Sequence, residues 1–293
     1  LNYNQMKVLI LGSSGLLGYR LFKFLKSKKL TVISNGLIKS KYNLKTKNNI
    51  LKLLKKNPDW IINCVAKTDI SDCEKNKTEA LNVNSKILDD LFFLKSKFNF
   101  NFKLLQISTD QFYNHQCGND NKENSKISIL NHYTYTKRKA EEICNKNDSI
   151  ILRTNFFGKS HNKKDSFSDW VYQKFTSGKN FYLFDDVFFS PLRIILLCKI
   201  IYKIISVGKK YNGIYNLGSR KGFSKKNFAI LFAKSLNIYN SNYTTVKSSK
   251  IFKIKRPKNM IMNCKKFEKK FKISLPTLRK QILDEVKINY IIK

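Results

Sequence analysis

Three side chains in this chain have the types and spacing for carbonyl chemistry: Thr109, Tyr133 and Lys137. Tyr133 and Lys137 lie four apart in Asn131-His132-Tyr133-Thr134-Tyr135-Thr136-Lys137, and residues four apart on a helix share a face. A phenol titrating near ~10 exchanges its proton poorly at neutral pH, but an ammonium beside it favours the phenolate. Tyr133 then becomes a usable general acid or base. Thr109 follows the apolar run Lys103-Leu104-Leu105-Gln106-Ile107-Ser108, so its hydroxyl would emerge at the carboxyl edge of a parallel sheet, where ligands bind in open α/β folds. Tyr135 and Lys139 have the same spacing, and spacing alone does not choose between the two pairs.

The elements that must position these groups begin with Gly12-Ser13-Ser14-Gly15-Leu16-Leu17-Gly18. An apolar run, Lys7-Val8-Leu9-Ile10-Leu11, precedes it, and a segment with helical spacing of Leu21, Phe22 and Leu25 follows. Strand, glycine turn and helix together form a pyrophosphate cradle: the glycines let the backbone bend and approach the ligand, which sits on the free N–H groups and positive end of the helix. Further strands are expected at 30–34, 59–65, 103–108 and 149–154, alternating with helices at 15–28, 47–56, 78–98 and 133–146. That alternation predicts a doubly wound α/β fold with a parallel sheet. The expected organisation is a Rossmann cofactor domain over 6–155 and a smaller substrate-binding lobe over 156–293, with helices near 165–177, 192–207, 224–236 and 277–288.

Several motifs occur in order along the chain: Asn63-Cys64-Val65-Ala66-Lys67-Thr68 with Cys73-Glu74 and Asn82-Val83-Asn84; Ser108-Thr109-Asp110; Asn131-x-Tyr133-x-x-Thr136-Lys137; Leu152-Arg153-Thr154-Asn155-Phe156-Phe157-Gly158; and Arg256-Pro257-Lys258-Asn259 followed by Asn263 and Lys265. Through them the chain resembles, nearly end to end, the extended short-chain dehydrogenase/reductase superfamily, and within it the dTDP-4-dehydrorhamnose reductase-like branch of nucleotide-sugar enzymes. The resemblance selects Tyr133 over Tyr135. It implies Thr109, Tyr133 and Lys137 as catalytic residues. The cofactor would be held by Gly12, Ser14, Gly15, Leu16, Leu17, Gly18, Asn35, Lys39, Cys64, Val65, Ala66 and Thr68, with Tyr133 and Lys137. The substrate would meet Thr109, Asp110, Gln111 and Arg256. It also implies that the segment near 213–218 returns to the cofactor domain.

In a reductase of this branch NAD(P)H delivers hydride to a keto carbon, Tyr133 protonates the developing alkoxide, and Lys137 tunes Tyr133 while holding the nicotinamide ribose. The chain departs from the family pattern at Thr134, where glycine is usual, at Ile129, where proline is usual, and at Gln111, where an aromatic is frequent. Dehydratase relatives place Asp-Glu after the threonine, whereas this chain has Asp110-Gln111, which disfavours water elimination. The expected activity is reduction of a nucleotide-activated 4-keto-6-deoxy sugar for surface polysaccharide synthesis. Two alternatives are a nucleotide-sugar 4-epimerase, which would use the same triad without net cofactor turnover, and a non-catalytic cofactor-binding subunit that acts on a partner enzyme.

After the second strand the chain has Ser34 and Asn35, with Lys39 and Lys41 nearby, where an NAD enzyme commonly places a carboxylate for the ribose diol. This favours NADPH, with NADH left open. The net charge is +37, yet only seven of the 57 basic residues are Arg, and the lysines are spread from Lys7 to Lys293 among abundant Asn and Ile. A nucleic-acid footprint is instead clustered and rich in the planar arginine fork. The expected partner is therefore a nucleotide sugar drawn by a positive field, without nucleic acid; a homodimer is an open assembly.

Six cysteines, at 64, 73, 117, 144, 198 and 264, form no CxxC pair and read as free thiols of a reducing compartment. The histidines, His115, His132 and His161, are too scattered for a metal triad, and no metal site is expected. The most apolar stretch, Leu192 to Val207, is interrupted by Arg193, Lys199 and Lys203. It is too short and charged to span a bilayer and suits a helix packed on the substrate lobe. No signal peptide is visible, and the expected location is cytoplasmic.

Overall fold

The computed structural model describes residues 6–36, 43–44, 46–114, 121–161, 165–208 and 210–290. The chain forms two compact units: Leu1–Thr109, Asn131–Arg153 and Cys198–Tyr215 in the first, and Asp110–Leu130, Thr154–Leu197 and Asn216–Lys293 in the second. Against the expected boundary at 155/156 with a return near 213–218, Asp110–Leu130 falls in the second unit and Cys198–Tyr215 in the first. After the fourth strand the chain leaves the first unit for about twenty residues before returning.

The first unit is built as β1 (Lys7–Leu11), α1 (Leu16–Ser27), β2 (Thr31–Ser34), α2 (Lys47–Leu54), β3 (Trp60–Asn63), α3 (Ile70–Lys75), α4 (Lys77–Leu81), a π turn (Asn82–Lys86), α5 (Ile87–Lys97), β4 (Lys103–Ile107), α6 (His132–Lys146) and β5 (Ile150–Thr154). The central sheet has six strands, with β10 (Gly213–Leu217) beside β5 and the order β10-β5-β4-β3-β1-β2. From β5 to β2 each neighbouring pair is parallel. Burial on both faces explains why β3, β4 and β5 are buried at every position. Leu9, Leu11, Ile61, Leu104 and Ile151 pack with residues of α2, α5 and α6. Val8 and Ile10, also buried, point to the opposite face because side chains alternate along a strand.

α8 (Ile194–Ser206), expected to pack on the substrate lobe, belongs to the first unit from Cys198 onward. Its Tyr202 ring meets the Phe24 ring of α1 edge-on at 6.1 Å. Apolar period identifies a buried helix but not its partner.

The order of strands has a consequence for ligand binding. The chain goes from β1 outward to β2, then crosses to β3 on the other side of β1, so the connections leaving β1 and β3 diverge and open a crevice at their carboxyl ends. Register sets Leu11 beside Asn63 and Asn63 beside Gln106 at that edge.

In the second unit, β7 (Phe181–Phe184) pairs in parallel with β12 (Tyr243–Val246), β8 (Phe188–Phe189) lies between β11 (Phe223–Ser224) and β13 (Asn259–Met260), and β6 (Phe156–Phe157) pairs with β9 (Leu192–Arg193). α7 (Phe167–Thr176), α9 (Lys225–Ser235) and α12 (Leu278–Asn289) start at Ser166, Ser224 and Thr277, whose hydroxyls each accept from a first-turn N–H. α10 (Ser248–Ile251) and α11 (Lys265–Phe271) complete it. Its core is aromatic, with Phe157, Phe175, Phe181, Phe189, Phe228 and Phe232 buried together. Among the described residues no helix is long and apolar enough to cross a membrane.

Candidate active site

The glycine turn is required by contact. Gly12 has φ of +77°, and a Cβ there would lie 2.9 Å from the backbone of Cys64 and Val65. A Cβ on Gly18 would come within 2.1 Å of the Gly12 carbonyl oxygen. Glycine at these positions lets the turn, the start of α1 and the end of β3 close on one another. Gly15 caps α1 without a side-chain bond, and the first turn of the helix has no acidic residue. The N-terminus therefore presents backbone donors and positive dipole to an anion.

Asn35 supports this turn: its side-chain oxygen accepts from the Gly12 N–H at 2.8 Å. The Ser13 hydroxyl accepts from the Gly36 N–H at 3.1 Å. Ser13, which motif reading passed over because it falls between the pattern glycines, thus ties the turn to the end of β2. Ser14 lies close to Gly36. Lys39 and Lys41 lie outside the described residues.

The cofactor-flanking segment is held by amides. Asn63 donates to Gln106 at 2.8 Å, and the Val65 N–H donates to the Asn63 side chain at 3.1 Å. Asn84 accepts from the Lys67 N–H at 2.7 Å and donates to the Lys67 carbonyl at 3.1 Å and to Thr136 at 2.9 Å. One side chain therefore joins the Val65 to Thr68 segment to α6. Asn84 sits in the π turn, which interrupts the continuous helix expected over 78–98, a common device for re-aiming a functional side chain.

α6 starts with a reciprocal capping box, Thr134 N–H to Asn131 at 3.0 Å and Asn131 N–H to the Thr134 hydroxyl at 3.2 Å. The threonine in place of the usual glycine thus completes the cap. His132 is a helix-start residue: its N–H donates to Glu74 at 2.6 Å and its ring nitrogen meets the Lys77 carbonyl at 3.0 Å.

Burial separates the two tyrosine–lysine registers. Tyr133 is 6% exposed and Lys137 2%, whereas Tyr135 is 40% exposed. Lys139 pairs with Glu142 at 3.1 Å on the surface. The Lys137 ammonium donates to the Ile107 carbonyl at 2.7 Å, two residues before the buried Thr109. Burial lowers its pKa to about 8, against an opposing pull from Glu141. Lys137 is also near enough to Cys64 for electrostatic interaction; burial pushes that thiol up to about 12, so it is a neutral lining group. Beneath them Glu141 is buried, accepting from Ser108 at 2.6 Å and from Arg153 at 2.9 and 2.7 Å. This pair fixes α6 to β4 and β5, and only the fold brings its members together.

Of the expected substrate residues, Asp110, Gln111 and Arg256 belong to the second unit. Asn155 donates to the buried Asp110 carboxylate at 2.9 Å. The Arg256 guanidinium lies over the Phe252 ring at 3.7 Å.

The family model described as RmlD substrate binding domain matches residues 6–290. A Haloferax volcanii protein named "Probable low-salt glycan biosynthesis reductase Agl14" is 24% identical over 204 residues, covering 68% of this chain and 66% of that protein. The crystal structure of a dTDP-4-dehydrorhamnose reductase from Clostridium acetobutylicum superposes with a TM-score of 0.86 at 20% identity, over 97% of this chain and 99% of that one. The dTDP-4-dehydrorhamnose reductase from Bacillus anthracis, solved in complex with NADP, superposes with the same score at 19% identity and the same coverage.

Proposed function

The chain belongs to the RmlD substrate binding domain family, and on that premise we propose that it is an NADPH-dependent reductase of a nucleotide-activated 4-keto-6-deoxy sugar. The observation that carries this reading is the buried α6 face, where Lys137, one turn on from the buried Tyr133, is anchored on the Ile107 carbonyl at the end of β4.

The Gly12 to Gly18 turn fits a dinucleotide: side chains would fill the close approach to β3, and the α1 N-terminus has donors for a pyrophosphate. When bound, reduced nicotinamide supplies the hydride. The protein's part is to place and protonate. The Tyr133 hydroxyl gives its proton to the substrate oxygen as negative charge develops there, and the Lys137 ammonium favours the phenolate that remains. Thr109 would donate to the same oxygen, and Asp110, Gln111 and Arg256 would contact the sugar nucleotide. NADPH as cofactor is supported by the NADP of the Bacillus anthracis relative. The names of the relatives support a place in deoxysugar and glycan synthesis.

The test is to incubate the purified protein with NADPH and a dTDP-4-keto-6-deoxy sugar generated in place, following nicotinamide absorbance. Stoichiometric oxidation that vanishes in Tyr133→Phe is the expected result. Cofactor binding without turnover across a panel of keto sugars would overturn the reading in favour of a binding subunit, and interconversion without NADPH loss would mark an epimerase. NADPH should bind tighter than NADH.

A further inference from the structure

We propose that Lys225, the first residue of α9, is a substrate-binding residue that binds the diphosphate of the substrate from the wall of an aromatic cavity in the second unit. The proposal rests on the nucleotide-sugar reading above and assigns to it a group that motif matching did not reveal.

The cavity is about 660 Å³, with Phe167, Trp170, Tyr182, Phe184 and Phe252 on its walls. Lys225 and Lys174 are its charged lining residues, and no carboxylate lines it among the described residues. Such a site takes a planar ring against the aromatics and an anion against the cation.

Lys225 is unusual in its surroundings. Its ammonium lies 4.8 Å from the centre of the Phe167 ring and 5.6 Å from that of Phe189. The ammonium makes no hydrogen bond or ion pair with a described residue, whereas the Lys225 backbone N–H donates to the Val187 carbonyl at 2.8 Å. Lys225 is half-buried; ring faces compensate a cation only in part, and even partial desolvation of an ammonium is costly without a hydrogen-bonded partner. An apolar side chain would fill the same position without that cost. Burial accordingly lowers its pKa to about 8; Asp110 opposes the shift and Arg256 adds to it.

These electrostatic neighbours give the position its meaning. Asp110 follows Thr109 directly in the chain, and Arg256 stacks on Phe252, which is itself a wall of the cavity. Two cations that repel each other in the protein alone are both stabilised when a diphosphate arrives.

The test is calorimetric titration of the full chain with TDP, UDP and GDP and with the corresponding uncharged nucleosides. Lys225→Met removes the charge and keeps an unbranched side chain; Lys225→Arg keeps the charge. For the preferred diphosphate, Lys225→Met should weaken binding about 10- to 100-fold, leave nucleoside binding within about twofold, and leave NADPH binding unchanged as a check on folding. Lys225→Arg should recover most of the loss. Unchanged diphosphate affinity in Lys225→Met overturns the assignment alone, as does an equal loss for nucleoside and diphosphate, which would make Lys225 a packing residue. Failure of the wild type to bind any nucleoside diphosphate overturns the nucleotide-sugar reading itself, and this assignment with it.

Discussion

The Lys137 ammonium and the Ile107 carbonyl are joined by a 2.7 Å hydrogen bond that keys α6 to the end of β4. Because Lys137 shares a helix face with Tyr133 and Ile107 lies two residues before Thr109, one bond fixes the relation between the helix that carries the acid and the strand that carries the hydroxyl. The buried Glu141–Arg153 pair and the Asn84 bridge brace the same helix from below and from the side.

Tyr133→Phe should lower kcat by about 10²–10⁴-fold and leave the dissociation constant for NADPH within about twofold. Tyr135→Phe, on the exposed register, should leave both unchanged. Steady-state kinetics with equilibrium binding checks the pair, and equal losses in the two variants would contradict the assignment of the acid.

The activity should depend on the charge of Lys137. Its pKa is lowered to about 8 in the folded protein from an ordinary value of 10.5. If the ammonium is the active form, kcat falls as pH rises through about 8, and a flat profile to higher pH would contradict its role. Stability moves the other way. Between about 8 and 10.5 the unfolded chain retains a proton that the folded chain has lost, so this group favours folding increasingly across that window. The effect is read as the difference in urea unfolding between the wild type and Lys137→Met.

Gly18→Ala would bring a methyl group within 2.1 Å of the Gly12 carbonyl oxygen, backbone that cannot yield without moving the turn. A loss of about 1–3 kcal/mol in stability is expected. NADPH affinity should fall with it, because the α1 donors move with the turn. Thermal melts with and without NADPH test this: normal stability and normal cofactor-induced stabilisation would contradict the close approach.

Arg153→Met leaves the Glu141 carboxylate buried with the Ser108 hydroxyl as its remaining close donor from the strands. A destabilisation of about 3–5 kcal/mol is expected, and the double variant Glu141→Gln, Arg153→Met should recover part of it. Denaturant midpoints for the three proteins decide whether the pair acts as a unit.

The sequence by itself determined the five parallel strands of the first unit, helices α1, α2 and α6 and the glycine turn, because apolar runs and the conformational demands of glycine are local properties; it did not determine α3. It also determined the candidate triad, once motifs in a fixed order singled out one register. The tertiary structure decided what depends on distant neighbours. It separated Tyr133 and Lys137 from Tyr135 and Lys139 by burial, turned Asn35 and Ser13 into supports of the turn, and broke the helix over 78–98 with a π turn so that Asn84 could reach Thr136. Cys198–Ser206 went to the first unit because an apolar face does not name its partner. Lys225 was one of many lysines in the sequence and became distinctive only when the Phe167 and Phe189 rings packed against its ammonium. Desolvation is a property of the assembled environment, and no spacing rule along the chain encodes it.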